Sequence, residues 1–211
     1  MATGRFITLE GGEGCGKSTQ IRLLAERLRA AGKEVLLTRE PGGTALAEKI
    51  RSLVREESDD PPNSRAETLL FIASRAQVVE SVIRPALASG TWVLCDRFAD
   101  STFAYQGYGR GLDLDELKRI NSFATGGLEP DRTILLNVSP EISAKRMRAR
   151  EAATNTDADR MEKAGDGFHA RLKQGFLELA AAEPKRFAVI QADGGIEEVA
   201  EAVWNSIQPM L

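Results

Sequence analysis

The stretch Gly11-Gly12-Glu13-Gly14-Cys15-Gly16-Lys17-Ser18-Thr19 follows an apolar run, Arg5 to Leu9, and leads into an amphipathic segment. It contains the complete pattern G-x-x-x-x-G-K-[ST]. In such a loop the glycines let backbone N–H groups point at a phosphate, and the next helix adds its positive dipole end. We therefore predict a bound nucleoside triphosphate, contacted by all nine residues, with Lys17 at its phosphates and Ser18 at Mg²⁺. The alternative is a glycine-rich turn without a ligand.

Composition limits the class of protein. The chain has 211 residues, a net charge of −3 at pH 7 and two cysteines, Cys15 and Cys95, which lack metal-ligand spacing. This length suits a single α/β domain, residues 1–211, with a sizeable core. The acidic balance argues against a nucleic-acid binder that works through bulk positive charge. No apolar stretch approaches the roughly 20 residues that span a bilayer. We expect a cytoplasmic protein that binds neither nucleic acid nor membrane.

Short apolar runs alternate with helical patterns along the chain. The runs predict five buried strands. Strands that alternate with helices imply right-handed crossovers and a parallel sheet covered by helices on both faces. We thus expect an α/β fold whose ligands gather at the carboxyl ends of the strands. The predicted strands are Phe6–Leu9, Val35–Leu37, Trp92–Cys95, Thr133–Val138 and Phe187–Ile190; the predicted helices are Lys17–Ala31, Thr44–Val54, Arg65–Ile83, Asp113–Phe123, Pro140–Arg150, Gly167–Ala182 and Ile196–Ile207.

Charged or glycine-rich segments follow the first three predicted strands. These segments are the phosphate loop, the stretch Thr38–Thr44 and the pair Asp96-Arg97. Later in the chain, the polar segment Glu151–Asp159 lies between arginines. A polar segment with arginines at its edges is typical of a lid over a phosphate site, and we place this lid at about residues 148–162. A solvated helix end is the alternative.

The sequence also bears on the group that would receive a phosphate. The guanine-reading segment [NT]-K-x-D of switch GTPases and the signatures of protein kinases are absent from it. Its single histidine, His169, lies in a late predicted helix, so no histidine base is evident for a hydroxyl acceptor. A phosphate monoester needs no such base, because its oxygens are largely ionised at neutral pH. It needs arginines instead, and these are frequent near the strand ends.

Five segments stand out besides the phosphate loop. They are Thr38-Arg39-Glu40-Pro41-Gly42-Gly43-Thr44, Phe71-Ile72-Ala73-Ser74-Arg75-Ala76-Gln77, Cys95-Asp96-Arg97-Phe98, Ser101-Thr102-Phe103-Ala104-Tyr105-Gln106-Gly107 and the arginine-rich lid that ends in Asp159-Arg160. In these segments the chain resembles bacterial thymidylate kinases, members of the nucleoside monophosphate kinase group of P-loop proteins, and the resemblance extends over nearly its whole length. The resemblance implies transfer of the γ-phosphoryl group of ATP to dTMP to give dTDP and ADP, with Mg²⁺ as the metal ion and a homodimer as the assembly. A kinase for another pyrimidine nucleoside monophosphate and, more distantly, a nucleotide-dependent binding or switch protein are the alternatives.

The resemblance implies a role for each matching residue of the acceptor site. Phe71 stacks on thymine, and Arg75, four residues later on the same helix face, hydrogen-bonds the base. Tyr105 packs under the deoxyribose, and Glu13 accepts a hydrogen bond from the 3′-hydroxyl. A core aromatic is the structural alternative for Phe71. The other implied substrate contacts are Glu40, Arg51, Arg97, Ser101, Thr102 and Gln106, of which Ser101 and Thr102 could instead be ordinary polar residues of a first helical turn.

The resemblance also implies the groups that act on the transferring phosphoryl. Asp96 holds the Mg²⁺ shell with Ser18, and Arg97 binds the acceptor phosphate. A helix cap with a salt bridge is the alternative for Asp96-Arg97. Some thymidylate kinases carry an arginine in the phosphate loop directly after the acidic residue, where this chain has Gly14. The catalytic arginine is therefore expected in the lid, with Arg148, Arg150 and Arg160 as candidates that act beside Lys17 and Arg97.

Overall fold

The computed structural model describes residues 4–56, 58–154 and 165–211. Its strands form one sheet in the order β2-β3-β1-β4-β5, and every neighbouring pair is parallel. The predicted α/β class and the parallel sheet of five strands are confirmed. The strands are β1 (Phe6–Glu10), β2 (Val35–Arg39), β3 (Trp92–Asp96), β4 (Arg132–Asn137) and β5 (Phe187–Gln191).

Helices connect successive strands and cover the sheet. All seven predicted helices are found in this part of the chain, and the short helices that begin at Arg84 and at Ala99 are additions to them. The helices are α1 (Lys17–Ala30), α2 (Ala45–Arg55), α3 (Ser64–Val78), α4 (Arg84–Ala88), α5 (Ala99–Thr102), α6 (Leu114–Thr125), α7 (Pro140–Thr154), α8 (Asp166–Ala182) and α9 (Ile196–Ile207). A π-helical turn, Val79–Ile83, joins α3 to α4; a second, Phe103–Gly109, continues α5; and a 3₁₀ turn, Gln208–Met210, follows α9.

Short polar side chains mark where several of these helices begin. Thr44 accepts a hydrogen bond from the Ala47 amide at the start of α2, at 3.1 Å. Asp113 does the same for Glu116 at the start of α6, at 2.8 Å. Each satisfies a backbone donor that has no partner within its own helix. Local sequence thus fixes these helix starts.

The central strand β1 packs against helices on both of its faces. Ile7 and Leu9 point into one apolar cluster together with Leu24 of α1 and Val203 of α9. Phe6, the residue before Ile7, points the other way and belongs to a cluster on the opposite face. A parallel strand buried on both sides reads as a continuous apolar run, which is the pattern that the sequence shows here.

The strand register brings three strand ends to one edge of the sheet. Leu9 of β1 and Arg39 of β2 both align with Asp96 of β3. The segments that follow these strands therefore start side by side, at the place where the strand order reverses direction around β1. Among the described residues, none of the helices has both the length and the apolar character needed to cross a membrane.

The predicted lid at residues 148–162 lies partly outside the described residues. Positions 148 to 154 form the end of α7, which continues past the predicted helix end at Arg150 to Thr154. The segment from 155 to 164, with the candidate Arg160, lies outside what the structure describes.

Candidate active site

A cleft of about 640 Å³ opens at the carboxyl ends of β1, β2 and β3. The phosphate loop, α2, α3, the segment that follows β3 and the loop between β5 and α9 all contribute to its lining. Of the candidates that the structure describes, Gly11, Gly12 and Arg148 are not among the lining residues. The candidates that do line it are Glu13, Gly14, Cys15, Gly16, Lys17, Ser18, Thr19, Glu40, Arg51, Phe71, Arg75, Asp96, Arg97, Ser101, Thr102, Tyr105, Gln106 and Arg150.

The ammonium group of Lys17 is held by the phosphate loop itself. Its Nζ donates to the carbonyl oxygens of Gly11 and Gly12 at 3.0 and 2.8 Å. α1 begins at Lys17, directly after Gly16, whose backbone is left-handed with a φ of 97°. The loop therefore presents a helix N-terminus and a buried cation to the cleft, and both attract phosphate.

Gly14 touches α7 so closely that no side chain fits at this position. A Cβ added to Gly14 would lie 2.7 Å from the backbone oxygen of Ser143, and the φ of Gly14 is +66°. The Ser143 hydroxyl also donates to the backbone oxygen of Glu13 at 2.7 Å. α7 is thereby fixed against the phosphate loop. Arg150, seven residues beyond Ser143 on the same helix face, lines the cleft.

Arg97 is the centre of an ionic cluster beside the loop. Its guanidinium forms an ion pair with Glu13, donates to the Gly11 carbonyl at 2.9 Å and lies over the Tyr105 ring. The Tyr105 hydroxyl donates to the same oxygen of Glu13 at 3.2 Å. Burial alone would raise the pKa of Glu13, but the charges of Arg97 and Lys17 outweigh it and lower that pKa to about 2. Glu13 is therefore a carboxylate at neutral pH.

The backbone at Arg97 is unusual as well. Its φ is +70°, which makes Arg97 the non-glycine residue with a positive φ among the described residues. The Arg97 amide donates to the Leu9 carbonyl at 3.0 Å, and the Cys95 thiol donates to the Arg97 carbonyl. Both ends of the residue are thus tied to the sheet, and the left-handed backbone turns the side chain towards the phosphate loop.

Arg75 is buried, and its guanidinium donates hydrogen bonds to three neighbouring side chains. Its exposed fraction is 2%, and its Nε donates to Glu40 at 2.7 Å. Its Nη1 donates to Thr102 and to Asn121 at 3.0 and 2.8 Å. Burial raises the pKa of Glu40 to about 7 although Arg75 opposes the rise, and the second oxygen of Glu40 has no partner among the described residues. Arg75 thus joins β2, α3, α5 and α6 in one polar contact.

Phe71, Gln106 and Arg51 form another part of the cleft lining. Phe71 is half-buried and lines the cleft, one helical turn from Arg75. Gln106 lies on the π-helical turn after α5 and donates to the buried carboxylate of Glu67 at 3.0 Å. Arg51 donates to the Pro41 carbonyl at 2.9 Å, which links α2 to the segment after β2. These contacts place an aromatic ring and an amide in the same wall.

Several residues that shape the site were not predicted from the sequence. Asn121 holds Arg75, Glu67 holds Gln106, and Arg146 lines the cleft while donating to the Gly194 carbonyl at 3.2 Å. Glu10, at the end of β1, is fully buried beside the segment that carries Arg97. Of these residues, Glu10 could have been noticed in the sequence, because it is a charged residue at the end of an otherwise uncharged strand.

Two oxygen-bearing side chains could hold a metal ion. Ser18 and Asp96 both line the cleft, one from the phosphate loop and one from the end of β3. Hydroxyl and carboxylate oxygens suit Mg²⁺, which keeps several waters and completes its shell with phosphates. In the described part of the chain no group of three or more His, Cys, Asp or Glu side chains forms a metal cage.

The chain is similar to known proteins along nearly all of its length. A family model described as thymidylate kinase matches residues 9–203. A thymidylate kinase from Synechococcus sp. (strain JA-2-3B'a(2-13)) is 52% identical over 98% of this chain and 95% of its own length. One from Deinococcus radiodurans is 48% identical over 98% of each chain. A crystal structure of thymidylate kinase from Ehrlichia chaffeensis superposes with a TM-score of 0.79 at 34% identity, covering 98% of this chain and all of that one.

A phosphate loop, the buried Arg75 and the aromatic side chains of Phe71 and Tyr105 thus line one cleft, in a chain whose relatives are named thymidylate kinases. The chain belongs to the thymidylate kinase family, and it transfers a phosphoryl group from ATP to dTMP to give dTDP.

Proposed function

We propose that ATP binds over the phosphate loop and that dTMP binds between Arg97 and Phe71, so that the acceptor phosphate lies beside the donor phosphates. The observation that carries this proposal is the contact between Arg97 and the phosphate loop. Because its guanidinium touches both Gly11 and Glu13, one cation adjoins the donor loop and the open wall of the cleft. An acceptor phosphate on Arg97 would lie next to the donor phosphates on Lys17.

Substrate binding exchanges partners at two cations. The donor phosphates take Lys17 from the carbonyls of Gly11 and Gly12, and the acceptor phosphate takes Arg97 from Glu13. Glu13, once released, is a carboxylate able to accept a hydrogen bond from the sugar 3′-hydroxyl. Arg51 provides a second cation near the acceptor phosphate, while Phe71 and Arg75 face the base. Ser101, Thr102, Tyr105, Gln106 and Glu40 complete the acceptor wall.

The metal ion of the reaction is Mg²⁺ in this proposal. Ser18 and Asp96 would hold it, and it would neutralise charge on the donor phosphates. Asp96 follows β3 directly and Ser18 follows Lys17, so both oxygens belong to the same end of the sheet. Their position in the cleft and their chemistry support the assignment.

Of the lid arginines, Arg150 is the one that we propose acts on the transferring phosphoryl group. Arg150 lines the cleft, and its charge helps to lower the pKa of Glu13. Both arginines are exposed, but Arg148 lies outside the lining. Loss of a finger arginine lowers kcat by about 10³-fold or more. We expect an effect of that size for Arg150→Ala and less than about tenfold for Arg148→Ala; the reverse order would overturn the assignment. Arg160→Ala tests the third candidate in the same assay.

We also propose that the protein is a homodimer through α2, α3 and α6. These helices pack side by side, with α3 in the middle. They expose Leu53, Leu69 and Phe123, the last with 90% of its surface accessible. Apolar side chains gathered on adjacent helices favour contact with a second copy. Sedimentation should show a dimer for the native chain and a monomer for Phe123→Glu; a native monomer would contradict the proposal.

The test of the phosphoryl transfer is the dependence of ATP consumption on the acceptor. A closed site keeps water from the donor, so ADP release should be slow without dTMP and rise strongly with it. Equal ATP consumption with and without dTMP would refute the assignment. Rates with dUMP, dCMP and dGMP test the alternative acceptors, since one methyl group in an apolar pocket is worth about 1–3 kcal/mol. Lys17→Ala should abolish transfer in a protein that remains folded.

A further inference from the structure

Glu10 is a buried carboxyl group that the reaction described above does not use. It is the last residue of β1, has an exposed fraction of 0% and does not line the cleft. It accepts a hydrogen bond from the Phe98 amide at 2.7 Å and one from the Ser101 hydroxyl at 2.6 Å. Both donors belong to the segment after β3 that carries Arg97.

A carboxyl group in this position needs an explanation. Burial of an ionisable group is unfavourable unless its hydrogen bonds are satisfied. The rest of β1 is apolar or, at Thr8, uncharged, so packing alone would be served by an apolar side chain. α5 begins after Phe98, which has no side-chain cap of its own. Glu10 therefore provides, from another strand, the acceptor that this helix start lacks.

Ser101 links Glu10 to Arg97. The Ser101 hydroxyl donates to Glu10 and accepts from Arg97 Nη1 at 3.2 Å. The Phe98 amide, held by Glu10, belongs to the residue directly after Arg97. Side chain and backbone of the Arg97 segment are thus both fixed by one carboxyl group.

The charges around Glu10 come from three elements. Arg97 lies after β3, and Glu13 pairs with it from the phosphate loop. Asp100 of α5 is buried and is held by both guanidinium nitrogens of Arg186 at 2.6 and 2.9 Å. Burial and the charge of Asp100 raise the pKa of Glu10, whereas Arg97, the cation that is linked to Glu10 through Ser101, lowers it.

We propose that Glu10 is a positioning residue for the acceptor phosphate: it holds Ser101 and the Phe98 amide so that Arg97 points into the cleft, and it does not touch the substrate. This inference rests on the proposed role of Arg97. It predicts that Glu10 affects the binding of the phosphate and leaves the binding of the base and sugar unchanged.

Calorimetric affinities for dTMP and for thymidine, which lacks the phosphate, separate these contributions. Glu10→Leu keeps the size of the side chain and removes both acceptors. We expect it to weaken dTMP binding by at least about tenfold, the scale of one charge-assisted hydrogen bond, and thymidine binding by less than about twofold. Glu10→Gln should stay within about threefold for dTMP, because its amide oxygen can accept from Phe98 and its amide nitrogen can donate to Ser101.

Glu67→Leu is the matched control. Glu67 is also a buried carboxyl group, but it holds Gln106 and Arg110 on the base side of the cleft. Its loss should weaken dTMP and thymidine by the same factor. If Glu10→Leu shows that same equal loss, or no loss, the positioning role is wrong.

Two further variants keep the outcome decisive. Arg97→Ala must weaken dTMP more than thymidine; if it does not, the proposed role of Arg97 fails, whatever Glu10 does. Should Glu10→Leu not fold, as judged by circular dichroism, Ser101→Ala replaces it, because it cuts the link between Glu10 and Arg97. An unchanged ratio of the two affinities in folded Ser101→Ala then overturns the inference.

Discussion

Removal of the Arg75 side chain should separate the stability of the site from its recognition of the base. Arg75→Met keeps the length of the side chain but leaves Glu40, Thr102 and Asn121 without their donor. Loss of one partner of a buried ion pair costs about 3–5 kcal/mol of unfolding free energy. The penalty should be smaller at about pH 6 than at about pH 8.5, because the pKa of Glu40 is about 7 and its neutral form tolerates the loss better.

The double variant Arg75→Met with Glu40→Leu completes this test. An apolar pair of similar volume often replaces a buried ion pair without loss of stability, so the double variant should regain at least about half of the lost free energy in urea titrations. Its affinity for dTMP should stay as low as that of the single variant, since the guanidinium that we propose faces the base is still missing. A single variant that loses less than about 1 kcal/mol, or a double variant that recovers dTMP binding, would refute this reasoning.

Three other substitutions test separate parts of the structure. Gly14→Ala should lower the free energy of unfolding by about 2 kcal/mol or more, because an alanine is strained at φ +66° and its Cβ meets Ser143; denaturation at the level of the native chain would contradict the close packing of α7. Phe71→Ala should weaken dTMP binding about 5- to 150-fold with little change in stability, whereas a loss of about 3–5 kcal/mol in stability would mean that Phe71 is a core residue. Between about pH 5 and 8, the stability of the native chain relative to Glu10→Gln should fall as pH rises. Burial and the charge of Asp100 raise the pKa of Glu10 to about 8, so the folded state holds a proton that the unfolded state has released. A constant difference in stability across that range would contradict the raised pKa.

The central strands β1, β3 and β4 could be predicted because burial on both faces leaves a direct trace in the sequence, whereas the edge strands β2 and β5, also predicted as buried, are partly exposed. Phe6–Leu9 was predicted for β1, and the strand runs from Phe6 to Glu10. The residue that the prediction lacked is the charged Glu10, because a strand predicted from apolar residues ends before a charged one. The helix at Ala99 was missed for another reason. α5 is short, and the π-helical turn after it breaks the period on which helix prediction depends.

The residues of the site could be predicted by type and only partly by environment. Arg75 was expected to face a base, and it lines the cleft, but its bonds to Glu40 and Asn121 join segments far apart in sequence. No local pattern reports such contacts. Gly14 is instructive in the opposite direction. The sequence shows only that an arginine is absent there, whereas the packing of Ser143 gives the steric reason.

The left-handed backbone of Arg97 has a consequence for variation at this position. A side chain in that conformation costs roughly 1–2 kcal/mol relative to glycine. Glycine would remove this strain, but it would also remove the guanidinium that holds the pKa of Glu13 at about 2 and so stabilises the folded state at neutral pH. The two effects oppose each other, so a library at position 97 that is screened for folding alone should not strongly enrich glycine, whereas the same library screened for dTDP synthesis should retain arginine. The ion pair with Glu13 therefore offsets a strained backbone at the residue that we propose binds the acceptor phosphate.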